Sequence, residues 1–273
     1  MRARLGLGIL LLLGLAAACA PLLQSWLGAD PFTADLFARY EPASAVHPLG
    51  ADELGRDILL RLLYGARVSL AVGLAAALAA SLLGTALGVW AGWRGGWVDA
   101  VLMRLADGLL ALPALPLLVL LAAVDPGKLG LPRGEAWTDM LRISVILVLF
   151  GWVGVARLAR AATLSVLATD YVRAARALGV TEARLLLRHV LPGIAAPVAV
   201  ATSLAVAGAI LAESVLSFLG LGIQPPAPSW GNMLANAQEA VFAAPLAALW
   251  PGLAILLAVA ACGLVADGVA RRD

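Results

Sequence analysis

The sequence has little charge, one lysine, two cysteines and two histidines, and each scarcity removes a class of function. Charged residues make up 13% of the 273 residues and hydrophobic ones 62%, whereas a soluble domain carries about a quarter and about half. That balance excludes a water-soluble globule. The formal net charge is +2, without the basic excess that nucleic-acid binding calls for. Cys19 and Cys262 lie in apolar runs near opposite ends of the chain and make neither a CxxC motif nor a disulfide framework, so no metal site built on cysteine is expected. The single lysine, Lys128, is followed by Leu129 and has Ala122 where the first glycine of a phosphate-binding loop would stand. The chain therefore lacks the motif with which to hydrolyse ATP itself. His47 and His189 fall on opposite sides of the membrane in the hydropathy pattern, so neither a Ser-His protease nor a two-histidine metal site is expected.

What the sequence has in abundance is long apolar runs, at about 5–27, 68–93, 98–123, 141–161, 195–219 and 246–267. Each matches the roughly 20 residues that cross a bilayer as a helix and far exceeds the roughly 10 of a barrel strand. Because lipid admits only helices or closed barrels, the predicted fold class is all-α, a polytopic membrane protein with six transmembrane helices. The first run, behind Arg2 and Arg4, has features of both a signal peptide and a first span, and Ala16-Ala17-Ala18-Cys19 weakly suggests processing or lipidation. The run continues through Leu22, Leu23, Trp26 and Leu27, too long for a signal core, so an uncleaved helix is the reading adopted. With the N-terminus inside, the cytoplasmic segments hold eleven arginines and the outer ones seven basic residues, which favours both termini in the cytoplasm.

Within the spans, Gly84, Gly88 and Gly92 repeat every four residues and read as a close helix-packing face. Trp90, Trp93 and Trp97 read as interfacial anchors. Asp107, Glu213, Asp267 and Arg104 are the ionisable groups in or at the margins of spans, and each is a functional candidate because burying charge in lipid is costly. The bland alternative pairs Asp107 with Arg104 one turn away and sets Asp267 beside Arg271 at the membrane edge. No relay of carboxylates across several helices is evident.

The fourth and fifth runs are joined by an arginine-rich segment with signals for two short helices. Thr169 or Asp170 can cap the first, Gly179 suits the left-handed residue that ends it, and Thr181 with Glu182 can open the second before Pro192 starts a new element. Helices so short and basic must lie on the cytoplasmic surface, presenting Arg173, Arg176, Arg184 and Arg188 to water, headgroups or a partner. The pattern Arg173-Ala174-Ala175, three residues, Gly179, eleven residues, Leu191-Pro192 resembles the E-A-A, three, G, eleven, L-P loop of ABC importer permeases. Arg173 stands where that family usually has glutamate. Two further stretches resemble the dipeptide, oligopeptide and nickel group of these permeases. One is His47-Pro48-Leu49-Gly50-Ala51-Asp52-Glu53-Leu54-Gly55-Arg56-Asp57, with Ala51 in place of the usual threonine; the other comprises Glu213-Ser214, Ser217 to Gly222 and Pro228-Ser229-Trp230-Gly231. The glycines and alternating charges of the first stretch suit a compact outer cap better than a flexible linker.

The resemblance implies a type I ABC importer permease fold, in the bacterial inner membrane. It divides the chain into residues 1–67, a first helix and extracytoplasmic segment, and 68–269, a permease domain with its coupling loop at about 168–192. It implies that Arg173, Ala174, Ala175, Gly179, Leu191 and Pro192 form the contact with ATP-binding subunits: the small residues allowing close approach, Leu191-Pro192 setting a turn into the fifth span. The partners implied are a homologous second permease subunit, two ATP-binding subunits that carry ATP and Mg, an extracytoplasmic substrate-binding protein and the bilayer. The chain itself is expected to bind no cofactor or metal and to catalyse no reaction. Its cargo is most readily a di- or oligopeptide, with glutathione-like and nickel-complex cargo left open. The rivals are an ion-coupled carrier using Asp107 and Glu213 and, more distantly, an intramembrane enzyme.

Overall fold

A computed structural model describes residues 1–130, 132, 135–238 and 244–271. Among these the secondary structure is helical, apart from one isolated bridge between Ala51 and Asp57. The helices are α1 (Arg2–Ala18), α2 (Ala20–Leu27), α3 (Ile58–Arg94), α4 (Gly96–Ala111), α5 (Ala114–Ala122), α6 (Ala136–Leu167), α7 (Asp170–Ala177), α8 (Glu182–Leu185), α9 (Leu191–Phe218), α10 (Trp230–Gln238) and α11 (Pro245–Ala270). Four helical rods are long and apolar enough to cross a membrane: α3, α6, the continuous stretch Glu182–Phe218, and α11. Two more spans arise if the bent pairs α1/α2 and α4/α5 each count as one. That matches the six apolar runs, with three revisions of detail.

First, α3 begins at Ile58, ten residues before its apolar run, because Asp57 caps it by accepting a hydrogen bond from the Leu60 N–H at 2.6 Å. Second, the third run is broken by 85° between α4 and α5. Pro113 forces Leu112 into extended backbone (φ −85°, ψ 141°) and so ends α4. Third, the second short helix expected after Gly179 is the start of a rod that passes through a π-helical stretch, Leu186–Val190, straight into α9. The Leu191 N–H reaches back to the Leu186 carbonyl, five residues away. Pro192 has no N–H to give to Arg188 four residues earlier, and the π stretch lies where that ladder is interrupted. Leu191-Pro192 therefore sits inside a helix and makes no turn.

The centre of the bundle is the mutual packing of α3, α6 and α9, with α1 and α11 against one flank and α4 and α5 against another. The glycine stripe explains how closely α3 meets α6. A Cβ on Gly84 would stand 2.4 Å from the Trp152 carbonyl oxygen, and one on Gly88 2.2 Å from that of Ala156. Val72, Ala76 and Ala77 of α3 join Ile143, Ile146 and Leu147 of α6 and Leu216 of α9 in the main core. On the α1 flank, Gly6 lies against Ala261 and Val265, and Gly268 against Ala3, so small residues again set the helix spacing.

At 37 residues α3 is about 55 Å long, and it separates two differently built ends of the bundle. The segment before α3 gathers with α10 at its first residues. The 168–190 segment gathers at its last.

Candidate coupling surface and buried polar nodes

At the loop end, α7 is anchored by a single buried side chain, Val172, which meets Val89 of α3 and Leu185, Val190 and Ile194 of the following rod. Ala175 and Val180 pack half-buried against the same cluster. Helix α7 stops because Gly179 adopts φ +78°. The Val180 N–H then bonds the Ala175 carbonyl at 3.2 Å and the Gly179 N–H the Arg176 carbonyl at 3.0 Å, the paired bonds of a Schellman ending. Nothing lies within 4 Å of where a Gly179 Cβ would be. Within this chain glycine is thus required there for its backbone conformation and not for close approach.

Of the residues singled out from sequence, Arg173, Ala174, Gly179 and Pro192 are exposed, while Ala175 and Leu191 are half-buried. Arg173 lies 3.7 Å from Asp170 in an exposed pair, which is worth little. Arg173, Ala174, Ala175, Gly179 and Leu191 therefore share one short helix-and-turn or the cluster beneath it, and Pro192 lies along the rod. The sequence reading missed Leu178. At the end of α7 it is 84% exposed beside the left-handed glycine, and the signal available was an apolar residue immediately before a helix-ending glycine. Arg176 stands 5.8 Å over the Trp93 ring and 3.5 Å from Glu182. His189 packs beside Tyr171, far along α3 from His47, which lies 3.1 Å from Asp57.

At the cap end the motif from His47 to Asp57 folds into a knot of buried charge. Asp52 accepts from the backbone N–H groups of Leu54 and Arg56, each at 2.9 Å, and from Arg56 Nε at 2.8 Å, with Arg61 Nε at 3.2 Å. Arg56 also donates to Glu53 at 2.8 Å, and Arg61, 1% exposed, donates to the Pro31 carbonyl at 2.9 Å. Gly55 (φ +74°) approaches so near that its Cβ would stand 1.7 Å from the Asp35 carbonyl oxygen. Burial, reinforced by the neighbouring Asp52 charge, pushes the Glu53 carboxyl above its ordinary value.

Glu213 of α9 is fully buried and accepts from Ser69 of α3 at 2.8 Å and from Ser217 at 2.7 Å. Ser69 in turn accepts from the Trp230 N–H at 3.2 Å, and Ser217 from the Ile223 N–H at 3.1 Å. The carboxylate thereby ties α3, α9 and α10 together. Asp107 is elsewhere: exposed on α4, it lies 3.3 Å from Arg157 of α6, not paired with Arg104. Since Ala156 packs on Gly88 and Glu213 bonds Ser69, the two carboxylates are separated by about 28 Å along α3. They form no relay. Asp267 pairs with Arg2 at 3.0 Å, joining the ends of α1 and α11, in place of the expected Arg271. A further charged group unmarked by the sequence reading is Arg142, which donates to the carbonyls of Ala122 at the end of α5 and of Leu221, each at 3.1 Å.

Between α3, α5, α6 and α9 lies a cavity of about 250 Å³, lined by small and apolar residues that include Ala76, Ala80, Phe150, Gly151, Ala205 and Gly208. A multi-span bundle with such a cavity and a surface helix joined to a spanning rod has the build of a membrane transport subunit. The profile of the binding-protein-dependent transport system inner membrane component matches residues 84–272, and the chain belongs to that family. It is 37% identical over 243 residues to the glutathione transport system permease protein GsiD of Pectobacterium atrosepticum, covering 88% of this chain and 77% of that one. The di/tripeptide permease protein DppC of Pseudomonas aeruginosa is 37% identical (81% and 69% covered), and the oligopeptide permease protein OppC of Bacillus subtilis 35% identical (98% and 83% covered). A chain of the inward-facing MetNI methionine ABC transporter superposes with a TM-score of 0.62 at 15% identity, over 79% of this chain and 97% of that one. The fold is that of an ABC importer permease, and the chain is a multi-pass inner-membrane permease subunit.

Proposed function

We propose that the chain forms, with a homologous second permease subunit, the pathway of an ATP-driven importer of di- or oligopeptides supplied by an extracytoplasmic binding protein. The peptide-related names of its relatives support that cargo class. In this reading the loop end and both termini face the cytoplasm, in line with the arginine count, and two ATP-binding subunits holding ATP and Mg dock on α7. The observation that carries the reading is the bare Leu178 held out by Gly179, with Arg173 and Ala174 exposed beside it. Force applied there passes through Val172 to Leu185, Val190 and Ile194, and so along the rod that runs to Phe218 and flanks the cavity. Docking must differ in strength between the two states of the transporter, because a partner that binds both equally shifts nothing.

The test is uptake of a labelled dipeptide and a labelled oligopeptide into proteoliposomes holding the four-subunit complex and its binding protein. ATP-dependent uptake that is lost in Leu178→Asp is the expected result. Uptake by this chain alone, driven by a proton or sodium gradient, would contradict it.

A further inference from the structure

A second groove, of about 400 Å³, opens at the loop end and is lined by Leu82, Ala86, Val89, Trp90 and Trp93 of α3 with Leu186 and Leu191 of the π-containing rod. Its lining is almost wholly apolar, and its mouth is basic. Arg94 is exposed one helical turn beyond Trp90, on the same face of α3, and has no carboxylate partner among the described residues. Arg176 stands 5.8 Å over Trp93, in an exposed pair with Glu182 at 3.5 Å that a phosphate could displace. The Thr85 hydroxyl, in the same lining, is buried without a hydrogen-bond partner.

An apolar slot capped by guanidinium groups at a tryptophan-marked interface matches one occupant: a phospholipid with an acyl chain in the slot and an anionic headgroup at the rim. We propose that this groove is a binding site for an anionic phospholipid, with Arg94 and Arg176 holding its phosphate. Because Leu186 and Leu191 line the slot, the lipid touches the segment that links α7 to α9. The site rests on the reading above only for the leaflet it faces.

The full chain in nanodiscs, without ATP-binding subunits, provides the test. Brominated acyl chains quench nearby tryptophan, and the share due to this groove is the signal lost in a Trp90→Phe, Trp93→Phe protein. Brominated phosphatidylglycerol should quench that share at lower mole fraction than brominated phosphatidylcholine. Arg94→Gln and Arg176→Gln should each reduce the preference about fivefold, the worth of one surface charge near anionic lipid. Ala86→Phe, at an exposed position that needs no core rearrangement, should remove the quenching by filling the slot without adding a tryptophan. Equal quenching by the two lipids, or an unchanged preference in Arg94→Gln, would overturn the proposal. So would quenching that is present in the lone chain but absent in the assembled transporter, which would assign the groove to a partner helix. None of these readouts depends on ATP-driven transport, so the lipid site and the coupling role fail separately.

Discussion

Around Asp52 the chain is fixed by buried charge, with two arginines, three backbone donors or acceptors and a left-handed glycine locked together over residues 31–61. Around Val172 it is held by one apolar plug, and its charges are exposed. Buried ion pairs have sharply defined geometry and are costly to break, whereas an apolar contact can slide with small loss. The cap end is thus built to keep one shape. The loop end is held more lightly and bares Leu178, which in the function proposed above is where the ATP-binding subunit pushes.

That contrast orders the expected effects of substitution. Asp52→Ala leaves Arg56 and Arg61 without their shared carboxylate, and a loss of about 3–5 kcal/mol is expected, read as a large fall in the detergent melting temperature and in yield. Glu213→Ala deprives the Ser69 and Ser217 hydroxyls of their acceptor and should cost about 1–3 kcal/mol. Glu213→Gln keeps an acceptor for one of them and should be the milder in the same melting assay. Gly179→Val forces a β-branched residue to φ +78°, a local strain of about 1–3 kcal/mol. Its melting temperature should move little, because α7 carries only one buried residue, while transport in proteoliposomes falls at least tenfold. Leu178→Ala should leave stability unchanged and weaken capture of the ATP-binding subunit about tenfold, the scale of one buried leucine, in a pull-down titration. The smallest effect concerns pH. The Glu53 carboxyl is raised in the folded state, so the native protein holds its proton longer than the unfolded chain. Stability should therefore decline as pH rises through the interval just above the ordinary glutamate value, and Glu53→Gln should flatten that slope in melting scans. A loop-end variant that melted like Asp52→Ala would erase the distinction between the two ends.

Much of this was legible in the sequence, but unevenly. The six apolar runs gave the spans because hydropathy reports the lipid-facing length, yet it is blind to helix beyond the lipid. Residues 58–67 of α3 fall outside the apolar run because Arg61 and Arg67 break it, although Arg61 is buried against Asp52. The break at Pro113 was hidden by apolar neighbours on both sides. Local pairing rules matched Asp107 to Arg104 but could not bring Arg157 of α6 across. The same limit concealed Ser69 beside Glu213, 144 residues away. The Schellman ending at Gly179, by contrast, was readable because it depends on adjacent residues alone. Pro192 misled: proline suggests the start of a new element, and the resemblance implied a turn there, but the π-helical stretch absorbs it within a continuous rod.

The most direct measurement is affinity purification of the tagged chain from its native membrane in mild detergent, wild type beside Gly179→Val, with the ATPase activity of each preparation. The wild type should bring down a second permease subunit and ATP-binding subunits with active ATPase. The variant should keep the permease partner and lose the ATP-binding subunits or their stimulation. Recovery of the chain alone, together with transport that follows an ion gradient, would contradict it.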